Sequence, residues 1–158
     1  SFDNPDPSGN GAAVYDLLRL AELTERQSWE DLALETLRLF VPTILRSPLN
    51  TGQFLAAVDF YLARPKMAVI AGASNDPATG ALVEAVRRSY LPNTIIALAD
   101  PTNRDALERT RRLIPGLEGK TLSDGRPTAY VCCNRTCGRP TTDPADLLRQ
   151  LSQRAAHR

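Results

Sequence analysis

Histidine, methionine and tryptophan are nearly absent from this sequence, with one of each (His157, Met67 and Trp29) among 158 residues. A lone imidazole near the C-terminus leaves no base for a Ser/His or Cys/His nucleophilic mechanism. Nor do His157 and three cysteines make a sensible closed four-ligand zinc set, so no metal is expected. Charge of one sign is lacking too. Nineteen basic residues face eighteen acidic ones, a formal net charge of +1, and no basic stripe marks a nucleic-acid or membrane partner. The nearest run, Arg109, Arg111 and Arg112, reads as a solvated helix face. No apolar stretch approaches the roughly 18–20 residues that cross a bilayer. The opening residues lack the basic and apolar regions of a signal peptide, and they lack an initiator Met. The expectation is a piece excised from the C-terminal part of a longer soluble protein. Cysteine is scarce and confined to Cys132, Cys133 and Cys137, unlike the spread, even-numbered framework of a secreted scaffold. A reducing, cytoplasmic compartment is expected. Neither G-x-G-x-x-G nor a complete Walker loop, G-x-x-x-x-G-K-[ST], occurs, so the small residues Ala71-Gly72-Ala73 read as a turn and no cofactor is expected.

What is present divides into two grammars. Residues 1–10 are rich in Pro, Gly, Asn and Asp, and Ser8 or Asn10 can cap a helix. Val14, Leu17, Leu18 and Ala21 then fall at helical spacing. A second helix carries Trp29, Leu32, Ala33, Leu37, Phe40 and Val41, with Pro42 expected to interrupt it. A third runs from Ser47-Pro48 through Phe54, Leu55, Val58, Tyr61 and Leu62 and stops at Arg64-Pro65. Beyond Pro65 the runs Lys66–Ala73, Thr94–Ala99 and Thr128–Cys133 read as buried strands. They alternate with helical stretches over Asn75–Tyr90, Asp105–Leu113 and from Asp143-Pro144 through Leu151. That alternation predicts an α/β (or α+β) chain: a helical segment at 1–64, then a small three-stranded parallel sheet with helices at 65–158.

Two groups of residues carry candidate chemistry. Cys132 and Cys137 form a C-x4-C pair at the end of a predicted strand, with Arg135 and Arg139 nearby to favour a thiolate. The expectation for the cluster is buried structural thiols first, then a redox-active or disulfide-forming pair, and last a metal site. Asp59 falls beside Leu55, Val58 and Leu62, on or near the expected apolar face. It is either a packing carboxylate paired with Arg19 or Arg64 or, in a sugar-processing site, an acid or base.

Several stretches together resemble one family. Pro7-Ser8-Gly9-Asn10, Leu17-Leu18-Arg19-Leu20 and Leu23-Thr24 resemble its P-S-G-N, L-L-R-L and L-T run. Pro92-Asn93-Thr94 follows, and then Ala129-Tyr130-Val131-Cys132, Asn134, Cys137, Pro140 and Thr142-Asp143-Pro144 resemble its closing signature. The family is that of the thioredoxin-domain-containing proteins related to spermatogenesis-associated protein and bacterial YyaL. The resemblance spans nearly the whole chain, although Cys133 stands where the family is expected to carry a basic residue. It implies a thioredoxin-like domain and a six-hairpin glycosidase-type helical toroid elsewhere in the polypeptide. The first three helices here would be the toroid's last pieces. It also implies a sugar-facing role for Ser8, Gly9 and Asn10 with Asp59 in an epimerase- or hydrolase-like site, or thiol exchange through Cys132 and Cys137 with the missing domain. The favoured expectation is an accessory region without turnover in isolation. Its partners would be the remainder of its own polypeptide and, for the isolated chain, other copies of itself through uncovered apolar helix faces.

Overall fold

The computed structural model describes residues 2–3 and 6–153. The chain divides into two compact units, Ser1–Ala63 and Arg64–Arg158, and His157 lies outside the described residues.

The first unit is helical. Helix α1, Gly9–Thr24, begins at Ser8, whose buried Oγ accepts from the Gly11 N–H at 3.1 Å. This satisfies one of the donors that a helix start leaves orphaned. Val14, Leu18 and Ala21 give the helix its buried stripe, and Leu17 is only half-buried. Helix α2, Gln27–Arg46, buries Ala33, Leu37 and Ile44. Pro42 does not end it. The helix continues through Pro42 to Arg46 because Arg38 and Pro42 are both exposed. The carbonyl deprived of a donor therefore faces water, and buried Ile44 anchors the final turn. A 3-10 turn, Pro48–Asn50, leads into helix α3, Gly52–Leu62, which buries Phe54, Ala57 and Phe60. Helices α1 and α3 meet closely at Gly11, where a Cβ would come within 3.0 Å of Gln53. Tyr15 packs edge-on against Phe60 with ring centroids 5.4 Å apart.

The second unit alternates strands and helices: β1 (Lys66–Ala71), α4 (Pro77–Arg87), β2 (Thr94–Ala99), α5 (Arg104–Leu113), a 3-10 turn (Pro115–Leu117), β3 (Thr128–Cys133), β4 (Thr136–Cys137) and α6 (Pro144–Ser152). The α/β class expected from the sequence is what the chain adopts, but the sheet has four strands in the order β2-β1-β3-β4. It is mixed, not parallel. Strands β1 and β2 run parallel, whereas β3 runs antiparallel to β1, with Lys66 opposite Cys133 and Ala71 opposite Thr128. The reversal comes from the link after α5. Gly116 lies against the Met67 side chain at one end of β1, and Pro127 lies against Gly72 at the other. The intervening residues thus travel the length of β1 before β3 begins, and β3 must run back.

One face of the sheet builds the core. Ala68 and Ile70 of β1 and Ala129 and Val131 of β3 pack with Leu82 and Val86 of α4 and Leu147 and Leu151 of α6. Each fully buried Val, Leu or Ile contributes about 1.5–3 kcal/mol by leaving water. Helix α6 is capped at both ends. The Asp143 carboxylate accepts from the Ala145 and Asp146 N–H groups. At the far end the Lys66 ammonium donates to the carbonyls of Gln150 and Leu151, each at 2.9 Å, and to that of Gln153.

Candidate functional site: a cross-strand cysteine pair at the sheet edge

Strands β3 and β4 are joined by two residues, Asn134 and Arg135, with φ of 49° and 62°. Two positive φ values in a two-residue loop give the twist that a tight hairpin needs. The turn fixes the register: Cys133 opposes Thr136 and Cys132 opposes Cys137. Gly138 N–H donates to the Val131 carbonyl at 2.9 Å, so the cysteines form the non-hydrogen-bonded pair between two bonded ones, where facing side chains come closest. Their Cα atoms are 3.9 Å apart, and their sulfurs are joined in a disulfide. The structural-thiol reading that led on sequence is therefore corrected for these two residues. Cys132 and Cys137 are an oxidised pair, because the turn sets them directly opposite one another. β4 itself escaped sequence reasoning, since two residues carry no period.

The two sulfurs differ in surroundings. Cys132 is 4% exposed, while Cys137, on the two-residue edge strand, is half-buried. By register Cys132 shares a sheet face with Met67, away from the α6 core. Cys133 points the other way. It stands outside the disulfide, with its Sγ 3.8 Å from the Arg64 carbonyl oxygen and Lys66 as its β1 partner. Partial burial pushes the Lys66 ammonium below its ordinary pKa, and the Cys133 charge opposes that shift.

The two arginines expected to attend the thiols are placed differently. Arg135 occupies the turn. Arg139 reaches Asp146 at 3.5 Å, and Arg149 pairs with the same carboxylate. Asp146, 7% exposed, is held below the usual carboxylate range chiefly by hydrogen bonding from Thr141, against the effect of burial, with Gln150, Arg149 and Arg139 adding to it. Asp146, Thr141, Arg139 and Arg149 line a cleft of about 400 Å³ together with Ser123, Arg126 and Thr128.

The remaining candidates lie in the helical unit. Asp59 is exposed, and so are Leu55 and Leu62. The sequence places it on or near an apolar face, that of Leu55, Val58 and Leu62, but α3 turns Phe54, Ala57 and Phe60 inward instead. Arg19, one of its suggested partners, lies over the Tyr15 and Phe60 rings. Ser8 is buried and occupied in capping, while Gly9 and Asn10 are exposed in the first turn of α1. The structure does not bring these residues together with Asp59. The Asp3 carboxylate ties Ser8 N–H (2.8 Å) to Gln53 N–H (2.7 Å) at the start of α3. Asp59 stands about 9 Å further along that helix at 1.5 Å per residue. Asp3 was not singled out on sequence, and an Asp five residues before a cap gives little signal there. Its pKa is lowered, first by the Gln53 N–H and then by that of Ser8.

A three-helix unit followed by a mixed α/β unit, edged by a disulfide-tied hairpin, is the class of protein these elements define. The chain belongs to the spermatogenesis-associated protein 20 family. It is 32% identical over 149 residues to spermatogenesis-associated protein 20 of Homo sapiens, covering 94% of this chain and 19% of that protein. The Rattus norvegicus protein of the same name is 31% identical over 151 residues, with 96% of this chain and 19% of the relative covered. The chain thus spans about a fifth of the length of the relatives it matches. No protein-family profile matches the chain, and no solved structure matches it.

Proposed function

We propose that this chain is an accessory, C-terminal region of a larger multi-domain protein, and that its own chemistry is dithiol–disulfide exchange through Cys132 and Cys137. The observation that carries the reading is the bonded pair, which joins Cys132 on β3 to Cys137 on an edge strand of two residues. Among the described residues no helix is long and apolar enough to cross a membrane. In the cytoplasmic setting that we also propose, a disulfide is ordinarily transient and catalytic or redox-sensing rather than structural. The exchange partner that fits is a protein dithiol, such as the thioredoxin-like domain which the family resemblance implies elsewhere in the same polypeptide. The remainder of that polypeptide is also the proposed cover for the exposed leucines of α2 and α3. A carbohydrate site has no comparable support, since Asp59 and Ser8–Asn10 are not brought together.

The test is a thiol count without reductant, native and denatured, with intact mass. The expected result is one free thiol and an oxidised pair that gains two hydrogens reversibly on treatment with a dithiol, an event lost in Cys137→Ser. Three free thiols in the non-reduced native chain would remove the reading.

A further inference from the structure

We infer that the two sulfurs have fixed, unequal roles: Cys137 is the sulfur that an incoming thiolate attacks, and Cys132 is the leaving and resolving sulfur. This rests on the exchange reading above and adds the direction from which a partner must come. Thiolate attack on a disulfide depends on which sulfur is accessible. The displacement is in line, so the nucleophile approaches each sulfur from the side opposite the bond being broken.

The sheet makes the two approaches unlike. The strand order β1-β3-β4 directs the bond from Cys132 on β3 outward to Cys137 on β4. In-line approach to Cys137 therefore comes from beyond β4, where no further strand is paired among the described residues. In-line approach to Cys132 comes from the β1 side, and there Met67 is its register partner. Met67 is buried. The 3-10 turn closes over its side chain so tightly that a Cβ on Gly116 would lie 2.2 Å from Met67 Cε. Cys132 itself is buried and Cys137 is half-buried. Cys133 takes no part as an alternative resolving thiol, because it is adjacent in sequence but lies on the opposite face of β3.

The step balances as a two-electron exchange. A thiolate of a partner dithiol bonds to Cys137 Sγ, the Cys132–Cys137 bond breaks, and Cys132 departs as a thiolate that takes a proton from solvent. The partner's second thiol, losing its proton, then attacks the partner sulfur of the mixed disulfide and releases the Cys137 thiolate, which is protonated in turn. The partner ends oxidised and this chain reduced. In reverse, Cys132, held on β3 opposite Cys137, closes on the mixed disulfide.

The test uses the oxidised full chain carrying Cys133→Ser, pulsed with reduced glutathione and quenched with N-ethylmaleimide. Peptide mass spectrometry then shows which cysteine carries glutathione and which carries the maleimide. We expect glutathione on Cys137 to exceed glutathione on Cys132 by about tenfold or more, since access governs which sulfur is attacked. In the urea-unfolded chain the preference should collapse toward parity. Native adducts shared equally, or favouring Cys132, would overturn the assigned roles while leaving exchange itself standing. A native disulfide that resists glutathione and dithiothreitol but is reduced in urea would overturn both the roles and the exchange reading.

Discussion

Gly72 follows β1 at the point where the chain leaves the sheet, and its missing side chain is what lets buried Thr79 close on it. A Cβ there would meet Thr79 Oγ1 at 2.2 Å and Pro127 Cβ at 3.0 Å. Both neighbours are buried, so Gly72→Ala is expected to destabilise the chain by about 1–3 kcal/mol, the usual cost of overpacking. Urea unfolding measures it, and an unchanged midpoint would show that the turn relaxes. Sequence reading took the small residues here as a turn, and the close approach is the reason for the glycine. Acid behaviour also resides in single residues. Asp100 accepts from the Thr102 hydroxyl and N–H and from the Ser74 N–H, which together hold it far below the ordinary value of 3.8, with Thr102 first. Asp3 and Asp146 are lowered as well. A carboxyl whose folded pKa is depressed contributes stability that is fully present above its unfolded value and lost as pH falls through the folded one. Stability is therefore expected to decline from roughly pH 4 downward as the unfolded chain takes up protons first. In Asp100→Asn, stability at neutral pH should fall and the acid limb should flatten. Urea midpoints measured across pH decide it, and an unaltered acid limb would remove Asp100 from the account.

The β3–β4 hairpin is held by the disulfide, by the hydrogen-bonded pairs on either side of it and by the turn. The turn is the strained one. Asn134 tolerates a left-handed conformation, but Arg135 at φ 62° does not do so cheaply. Arg135→Gly is expected to stabilise the chain by about 0.5–1 kcal/mol in denaturant unfolding, by relieving that strain. A loss of stability would mean that the arginine side chain contributes more than its backbone costs. The same hairpin shows where sequence reading stops. Thr94–Ala99 and Thr128–Cys133 are legible as strands because each is a short continuous apolar run. The direction of β3 is not, since side-chain period is blind to polarity and the Gly116–Pro127 crossing decides it. Cys132 and Cys137 could be named as candidates, but their bonding depends on a register set by two backbone conformations at Asn134 and Arg135. Nothing in the residue types dictates that those two positions, rather than their neighbours, form the turn.

At the scale of the whole molecule, the apolar residues of the helical unit exceed what its own core takes in. Leu39 is 75% exposed, Leu45 77% and Leu62 70%. Helix α3 is apolar on two sides: Phe54, Ala57 and Phe60 are buried, while Leu55, Tyr61 and Leu62 face outward. A helix that is hydrophobic all round is one that is buried on every side in its full setting. Asp59 stands with Leu55, Val58 and Leu62 on an apolar stripe of α3, but the stripe that this unit buries is that of Phe54, Ala57 and Phe60. The chain spans about a fifth of the length of the relatives it matches, and the cover proposed above for these leucines is the rest of a larger polypeptide. Without it, copies of the chain are expected to cover one another. Sedimentation velocity across a concentration series should show a concentration-dependent rise in mean mass. Replacing the two α2 leucines together, Leu39→Glu with Leu45→Glu, should lower that rise with little loss of stability, because surface substitutions usually change it by within about 0.5 kcal/mol. A monomer stable to concentration would mean that these leucines are tolerated singly by water, as scattered surface apolar residues often are. The doubly apolar α3 would then be a feature of this unit alone, and the proposal that the larger polypeptide covers it would fail.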